Sequence, residues 1–194
     1  MSKRASKKDH ILAAGMAVMK SQGFNGTSVR DIVDAAGVPK GSFYNYFDSK
    51  EVFAVEALQS AAAEDQQINS KILGDRQQPP LSRLRNYFVH HVQEVCDNDF
   101  RIGCFLGNIC QEMADSSEAI RLAVREVLQT NTRQLATVME EAKERGDLPE
   151  NADTELLAEF VFNAWQGALV RMKATKNSQP MDIFLGTYPR LLQP

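Results

Sequence analysis

A chain of 194 residues, 43% of them apolar and 24% charged, is long enough to bury a real core in one domain or two small ones. No apolar run approaches the length of a membrane span, and the polar, basic start MSKRASKKDH has no apolar stretch behind it, so neither a membrane partner nor a secretory signal is expected. Cys96, Cys104 and Cys110 are odd in number and lack zinc-site spacing, which excludes a disulfide scaffold and points to free thiols in a reducing cytoplasm.

The net charge of −3 does not suggest nucleic acid, but its distribution does. Residues 1–50 hold eight Lys/Arg against four Asp/Glu, and the remainder hold fourteen against twenty-one. A basic end on an acidic body is the asymmetry expected when one end meets phosphate and the other must not. The Lys3-Arg4 and Lys7-Lys8 pairs at the start also read as a solvated terminus.

A first helix is predicted from about Lys7 to Gln22, with Leu12, Met16 and Met19 inward, Gly23 as its stop and Phe24 plugging a small core. Thr27 or Ser28 caps a second helix whose Val29, Ile32, Val33 and Ala36 fall at helical spacing. Gly37 and Val38-Pro39 carry a turn into a helix over Lys40–Phe47, with Phe43 and Phe47 on its buried side. Lys40, Ser42, Tyr44, Asn45 and Tyr46 are left to face outward, a cation, a hydroxyl, an amide and two phenols. That is the surface of a recognition helix entering a major groove.

The stretch GVPKGSFYNYFDSKE resembles the recognition helix and following turn of the TetR family of bacterial transcriptional repressors. TSVRDIVDAAG and ILAAGMAVMKSQGFNGTS before it resemble the same domain, so the likeness covers about Lys7 to Phe53 without a gap. The resemblance implies an all-α fold: an N-terminal three-helix helix-turn-helix DNA-binding domain over 1–50, then a helical ligand-binding and dimerisation domain over 51–194. It also implies a homodimeric repressor that binds a palindromic double-stranded DNA operator and is released by a small-molecule effector. The expected DNA-binding set is Thr27, Ser28, Lys40, Gly41, Ser42, Tyr44, Asn45, Tyr46 and Lys50. Within it Thr27, Tyr46 and Lys50 would hold phosphates, Lys40 the backbone or a base edge, and Ser42, Tyr44 and Asn45 would lie near bases.

Asp48 or Ser49 should cap the fourth helix, with Glu51 completing a capping box with Asp48. That helix runs through Phe53, Val55 and Leu58 towards residue 73, and GDRQQPP breaks it. The fifth begins near Leu81 with Leu84, Tyr87, Phe88, His91 or Val92, and Val95 inward. His90-His91 cannot share a metal, because adjacent helical residues face different ways. FRIGCFLGNICQEMADSSE forms a helix broken near Asp115-Ser116, and a long amphipathic helix follows from about Ser117 to Arg145. After DLPENAD, Thr154 to about Thr175 is apolar on two faces. Leu157, Phe160, Val161, Ala164, Ala168 and Leu169 cover one face, and Phe162, Trp165 and Met172 spread towards another. Under the resemblance the last two long helices pair with those of a second subunit, Ala164, Gly167 and Ala168 permitting close approach. Met181 to Leu192 forms one more short helix.

No phosphate loop, nucleophile elbow or metal-binding helix pair is present, so neither an enzyme nor a cofactor or metal is expected. A pocket among helices five to eight is expected, with Phe88, Phe105, Met113 and Trp165 as candidate lining. RIGCFLGNICQEMADSSEAIR resembles a branch of the family that includes N-ethylmaleimide-responsive and acrylate-responsive repressors. It implies an alternative in which Cys104 acts as a thiol-based electrophile or redox sensor, its thiolate favoured by a helix amino terminus and by Arg101. A buried, inert core cysteine is the competing reading.

Overall fold

The protein is described by a computed structural model over residues 3–100 and 102–192, which form nine helices and no strand. They are α1 (Lys3–Gln22), α2 (Val29–Ala35), α3 (Gly41–Tyr44), α4 (Lys50–Leu73), α5 (Pro80–Asp97), α6 (Phe105–Met113), α7 (Glu118–Glu144), α8 (Thr154–Thr175) and α9 (Gln179–Leu191). Two compact units arise, one from residues 1–63 and 105–126, the other from 64–104 and 127–194. This division differs from the expected break at residue 50, because α4 and α7 are long enough to belong to both units and α6 packs with the amino-terminal helices.

In the first unit α1 is longer than expected and buries Ile11, Met16 and Met19; Leu12 is only half buried. Ile11, Gly15 and Met19 are each one turn apart, and a Cβ on Gly15 would lie 2.5 Å from Phe53 and 2.6 Å from Ile32, so α1 crosses its neighbours there. Gly23 takes φ +78° and ends α1 by donating its N–H to the Met19 carbonyl at 2.9 Å. Ser28 caps α2: its hydroxyl accepts the Asp31 N–H at 3.2 Å while the Asp31 carboxylate accepts the Ser28 N–H at 2.8 Å. Gly37, at φ +62°, closes α2.

The third helix is shorter than the predicted Lys40–Phe47. After Tyr44 the chain makes turn bonds, Tyr46 and Phe47 both donating to the Phe43 carbonyl at 3.0 Å. This places Phe43 and Phe47 against Phe53 of α4, with ring centroids 5.0 to 5.7 Å apart, all three within 1% of full burial. Ser49, and not an Asp48–Glu51 pair, caps α4 by accepting the Val52 N–H at 3.1 Å, while Glu51 accepts the Ser117 hydroxyl at 2.8 Å. From α6, Leu106, Ile109 and Met113 are buried, and the Glu112 carboxylate accepts the Asn25 N–H at 2.7 Å.

The second unit is built on a core that includes Leu84, Tyr87 and Phe88 of α5, Leu135, Val138 and Met139 of α7, Phe162, Trp165 and Met172 of α8, and Phe184 and Tyr188 of α9. Arg83 is the only fully buried charged side chain among the described residues. It donates to the Leu73 carbonyl at the end of α4 and pairs with Glu141, which also meets Arg76 at 2.9 Å. Capping the free carbonyl end of α4 with a cation satisfies an orphan acceptor, and Glu141 offsets the charge.

Asp153 caps α8 by accepting the Leu156 N–H at 3.0 Å. The two apolar faces expected on α8 do not divide as grouped, since Val161, Ala168 and Leu169 of the first turn inward together with Phe162, Trp165 and Met172 of the second. Ala158, Val161, Phe162, Trp165, Ala168, Leu169 and Met172 point inward, whereas Phe160 is 54% exposed and Leu156 68%. Among the described residues the large exposed apolar side chains of this unit lie chiefly on α8 (Leu156, Phe160, Val170) and α9 (Ile183, Leu191), not on α7. Arg101, expected beside Cys104, and the side chains of Lys3 and Arg4 lie outside the described residues.

Candidate nucleic-acid interface and effector unit

In the helix-turn-helix the need to bury Phe43 and Phe47 decides what remains outside. With those two rings inward, Lys40, Gly41, Tyr44 and Asn45 are exposed and Ser42 and Tyr46 half exposed, a continuous outer face on one turn and a half of chain. Tyr44 is 54% exposed although its ring edge rests on Phe43 at 5.3 Å and 82°. Lys40 precedes α3 without a side-chain capping bond. Gly41 requires no left-handed backbone, and a Cβ there would meet nothing within 4 Å. Neither conformation nor packing within this chain accounts for that glycine.

Thr27 and Lys50 are turned inward. Thr27 is 1% exposed and its hydroxyl donates to the Gly23 carbonyl at 2.6 Å, so the hydroxyl locks the α1–α2 turn and presents no free donor to a phosphate. The Lys50 ammonium donates to the carbonyls of Phe24 and Thr27, both at 2.9 Å, and lies 4.1 Å from the Phe24 ring centroid. A cation that opposes the α4 dipole is thus held by two carbonyls and a ring face. Ser28 is exposed, its hydroxyl shared with Asp31 at 2.6 Å, and hydrogen bonds from Ser28 hold the Asp31 carboxyl below the usual carboxylate range.

Sequence reasoning missed two contacts in this unit. His10 Nε2 is 3.0 Å from the Ala36 carbonyl, which ties α1 to the end of α2. Glu112 reaches the turn after Gly23 from 87 residues away. Both depend on long-range folding, and no local pattern announces them.

Of the five candidate ligand residues, Phe105 and Met113 belong to the first unit and Phe88, Cys104 and Trp165 to the second. In the second unit the Trp165 indole is ringed by Tyr87, Phe88, His91 and Phe162 at centroid distances of 6.1, 5.8, 5.9 and 5.4 Å. Burial raises the Tyr87 hydroxyl above its ordinary range, with a smaller contribution from Cys104. Burial, with help from His90, lowers His91 to about 4, so the imidazole is neutral; its Nε2 donates to Asn69 Oδ1 at 2.7 Å, because a carboxamide oxygen only accepts. Cys104 is half buried immediately before α6, and Gln166 Nε2 donates to its sulfur at 3.3 Å. Trp165 Nε1 is buried and has no hydrogen-bond partner among the described residues.

Among the described residues no group of three or more His, Cys, Asp or Glu could hold a metal ion, and no helix is long and apolar enough to cross a membrane.

Two sequence families match. Residues 11–57 match the bacterial regulatory proteins of the tetR family, and residues 80–188 match the Tetracyclin repressor-like C-terminal domain. The chain is 36% identical over 182 residues to the HTH-type transcriptional repressor DhaR of Mycobacterium sp. (strain GP1), covering 94% of this chain and 90% of that one. A crystal structure of regulatory protein TetR from Rhodobacter sphaeroides superposes with a TM-score of 0.89 at 31% identity, covering 94% and 96% of the two chains. The reduced form of NemR from Escherichia coli superposes with a TM-score of 0.87 at 26% identity, covering 94% and 95%. With its DNA-binding and carboxy-terminal parts both matched, the chain belongs to the TetR family of bacterial transcriptional regulators.

Proposed function

We propose that this protein is a repressor that binds a palindromic operator as a homodimer and is released when its second unit takes up a small-molecule effector. The observation that carries the DNA-binding reading is the outer face of the α3 turn. Lys40, Ser42, Tyr44 and Asn45 lie on the one face of a short helix that its own core does not use. Gly41, which the chain itself does not require, suits a place where a phosphate backbone approaches closely. Tyr46, half buried, stands at the edge of the face for a phosphate, and the exposed start of α2 at Ser28 offers a helix amino terminus to another.

The second copy fits the outer stripe of α8 with α9. Leu156, Phe160, Ala164, Gly167 and Val170 recur at helical spacing, all exposed, and Ile183 and Leu191 extend the apolar surface onto α9. Ala164 and Gly167 are exposed, and their small size would let two such helices approach closely; Ala168 faces the core instead. Two symmetric copies set two α3 turns on successive major-groove faces. Uptake of the effector is passed along α4 and α7, the helices shared by both units.

Selection of bound sequences from a random DNA pool tests the reading. A palindrome recovered by the wild type and lost with Tyr44→Ala supports it; sequence-independent binding by both would sink it.

A second reading is favoured by the Gln166–Cys104 contact, since an amide N–H aimed at sulfur stabilises a thiolate more than a thiol. In that case an electrophile alkylates Cys104 and releases DNA. Loss of the N-ethylmaleimide response in Cys104→Ser, with operator affinity retained, separates the two readings.

A further inference from the structure

We infer that the effector of this protein is an uncharged molecule that presents a hydrogen-bond acceptor to the Trp165 indole N–H, and not a carboxylate or other anion. The inference rests on the reading that the second unit receives the effector, and it names the chemical class.

The Trp165 side chain is 95% buried by the complement of its 5% exposure, and Nε1 has no partner among the described residues. An indole nitrogen can only donate, so neither a flipped tautomer nor a rotated hydroxyl resolves the mismatch. Buried donors are rarely left unpaired, because the lost water bond is not replaced. This donor sits among four rings, those of Tyr87, Phe88, His91 and Phe162, on α5 and α8. Such a wall contributes apolar contact, and the indole sets orientation, which is the composition of a small-molecule site.

The charge of that site follows from its polar groups. His91 is held neutral and its Nε2–H is engaged by Asn69, so the imidazole brings no positive charge. Arg83, the one fully buried cation among the described residues, is matched by Glu141. Tyr87 keeps its proton, since burial raises it. An anion beside Trp165 would lose its hydration without a cation to replace it, whereas an amide, ketone, ester or alcohol oxygen would meet the N–H at little cost.

The sequence contains a single tryptophan, so intrinsic fluorescence reports on this indole alone. The probes are three size-matched pairs, acetamide and acetate, isobutyramide and isobutyrate, benzamide and benzoate, titrated into the full-length protein at neutral pH. At least one amide should shift the emission saturably and bind about tenfold or more tightly than its carboxylate partner. The same amide, followed by calorimetry, should lose about tenfold in affinity for Trp165→Phe, which keeps an aromatic ring and removes the N–H with the rest of the five-membered ring. Phenyl is smaller than indole, so the fold of Trp165→Phe is checked independently by its circular dichroism and the cooperativity of its melting transition.

Equal or tighter binding of a carboxylate would overturn the inference, as would amide binding undiminished in Trp165→Phe. So would silence from all three pairs, which would leave the indole a packed core side chain with no ligand to meet. Operator binding measured in the same preparations keeps the two readings apart. If it is lost altogether, the repressor reading fails; if it persists while the amides fail, only the effector class falls.

Discussion

The two units place their polar groups differently. The first keeps an aromatic centre, with Phe43, Phe47 and Phe53 in contact, takes up Thr27 and Lys50 within its α1–α2 turn, and sends Lys40, Tyr44 and Asn45 outward. The second draws polar groups inward: Arg83 with Glu141, His91 with Asn69, Gln166 against Cys104, and an indole N–H without a partner. A reader of DNA needs its chemistry on the surface, while a receiver of a small molecule needs it buried, where low dielectric strengthens each bond and penalises each mismatch. Stability should therefore be lost from the first unit by emptying its core, and from the second by unpairing its charges.

The largest effect is expected for Phe43→Ala. Removing a fully buried ring from the centre of a four-ring cluster should cost about 3–5 kcal/mol and abolish operator binding through loss of fold, seen as an earlier transition in chemical denaturation. Its neighbour Tyr44→Ala should change stability by no more than about 0.5 kcal/mol and still abolish specific binding. If the two variants lost stability equally, the division between buried and outward rings would be wrong.

In the second unit, Glu141→Ala leaves Arg83 buried and unpaired, and should destabilise by about 2–4 kcal/mol; the double replacement with Arg83→Met should recover part of the loss. A double-mutant cycle in urea measures it. Purely additive losses would show that the pair is surface-like.

His91 gives the contrast a pH signature. Its folded-state value, about 4, lies below the unfolded 6.5, so the unfolded chain binds the proton first. Stability is then fully present above about pH 6.5 and falls as pH drops towards 4, by at most about 3 kcal/mol. His91→Gln should flatten that limb. Asp31 acts in the same direction but at lower pH: its lowered value gives a contribution present above the ordinary carboxylate range and lost only as pH falls below about 4. Asp31→Asn should therefore alter the acid limb slightly, and only there.

Between these in size is Phe160→Glu, which leaves each unit folded and converts the dimer to monomers in sedimentation, with a matching loss of operator affinity. A dimer that survives both Phe160→Glu and Val170→Glu would place the second copy elsewhere.

Local order was legible in the sequence: the glycine stops at Gly23 and Gly37, the Ser28 cap, the inward phenylalanines, and the helices up to a residue or several at their ends. These depend on interactions within a few positions, where backbone preference and hydrophobic spacing act directly. The outer face of α3 followed from the same logic, since burying Phe43 and Phe47 leaves its other residues nowhere else to go. What the sequence could not decide was direction and commitment over long range. Thr27 and Lys50 looked available to phosphate, yet the turn they border takes up both. On α8, apolar on more than one face, hydropathy gave no sign which face was core, and packing against α5, α7 and α9 selected Phe162 and Trp165 while leaving Phe160 outside. The Glu112 bond to Asn25, the burial of Arg83 and the unpartnered Trp165 nitrogen are tertiary facts, set by residues far apart in the chain that only folding brings together.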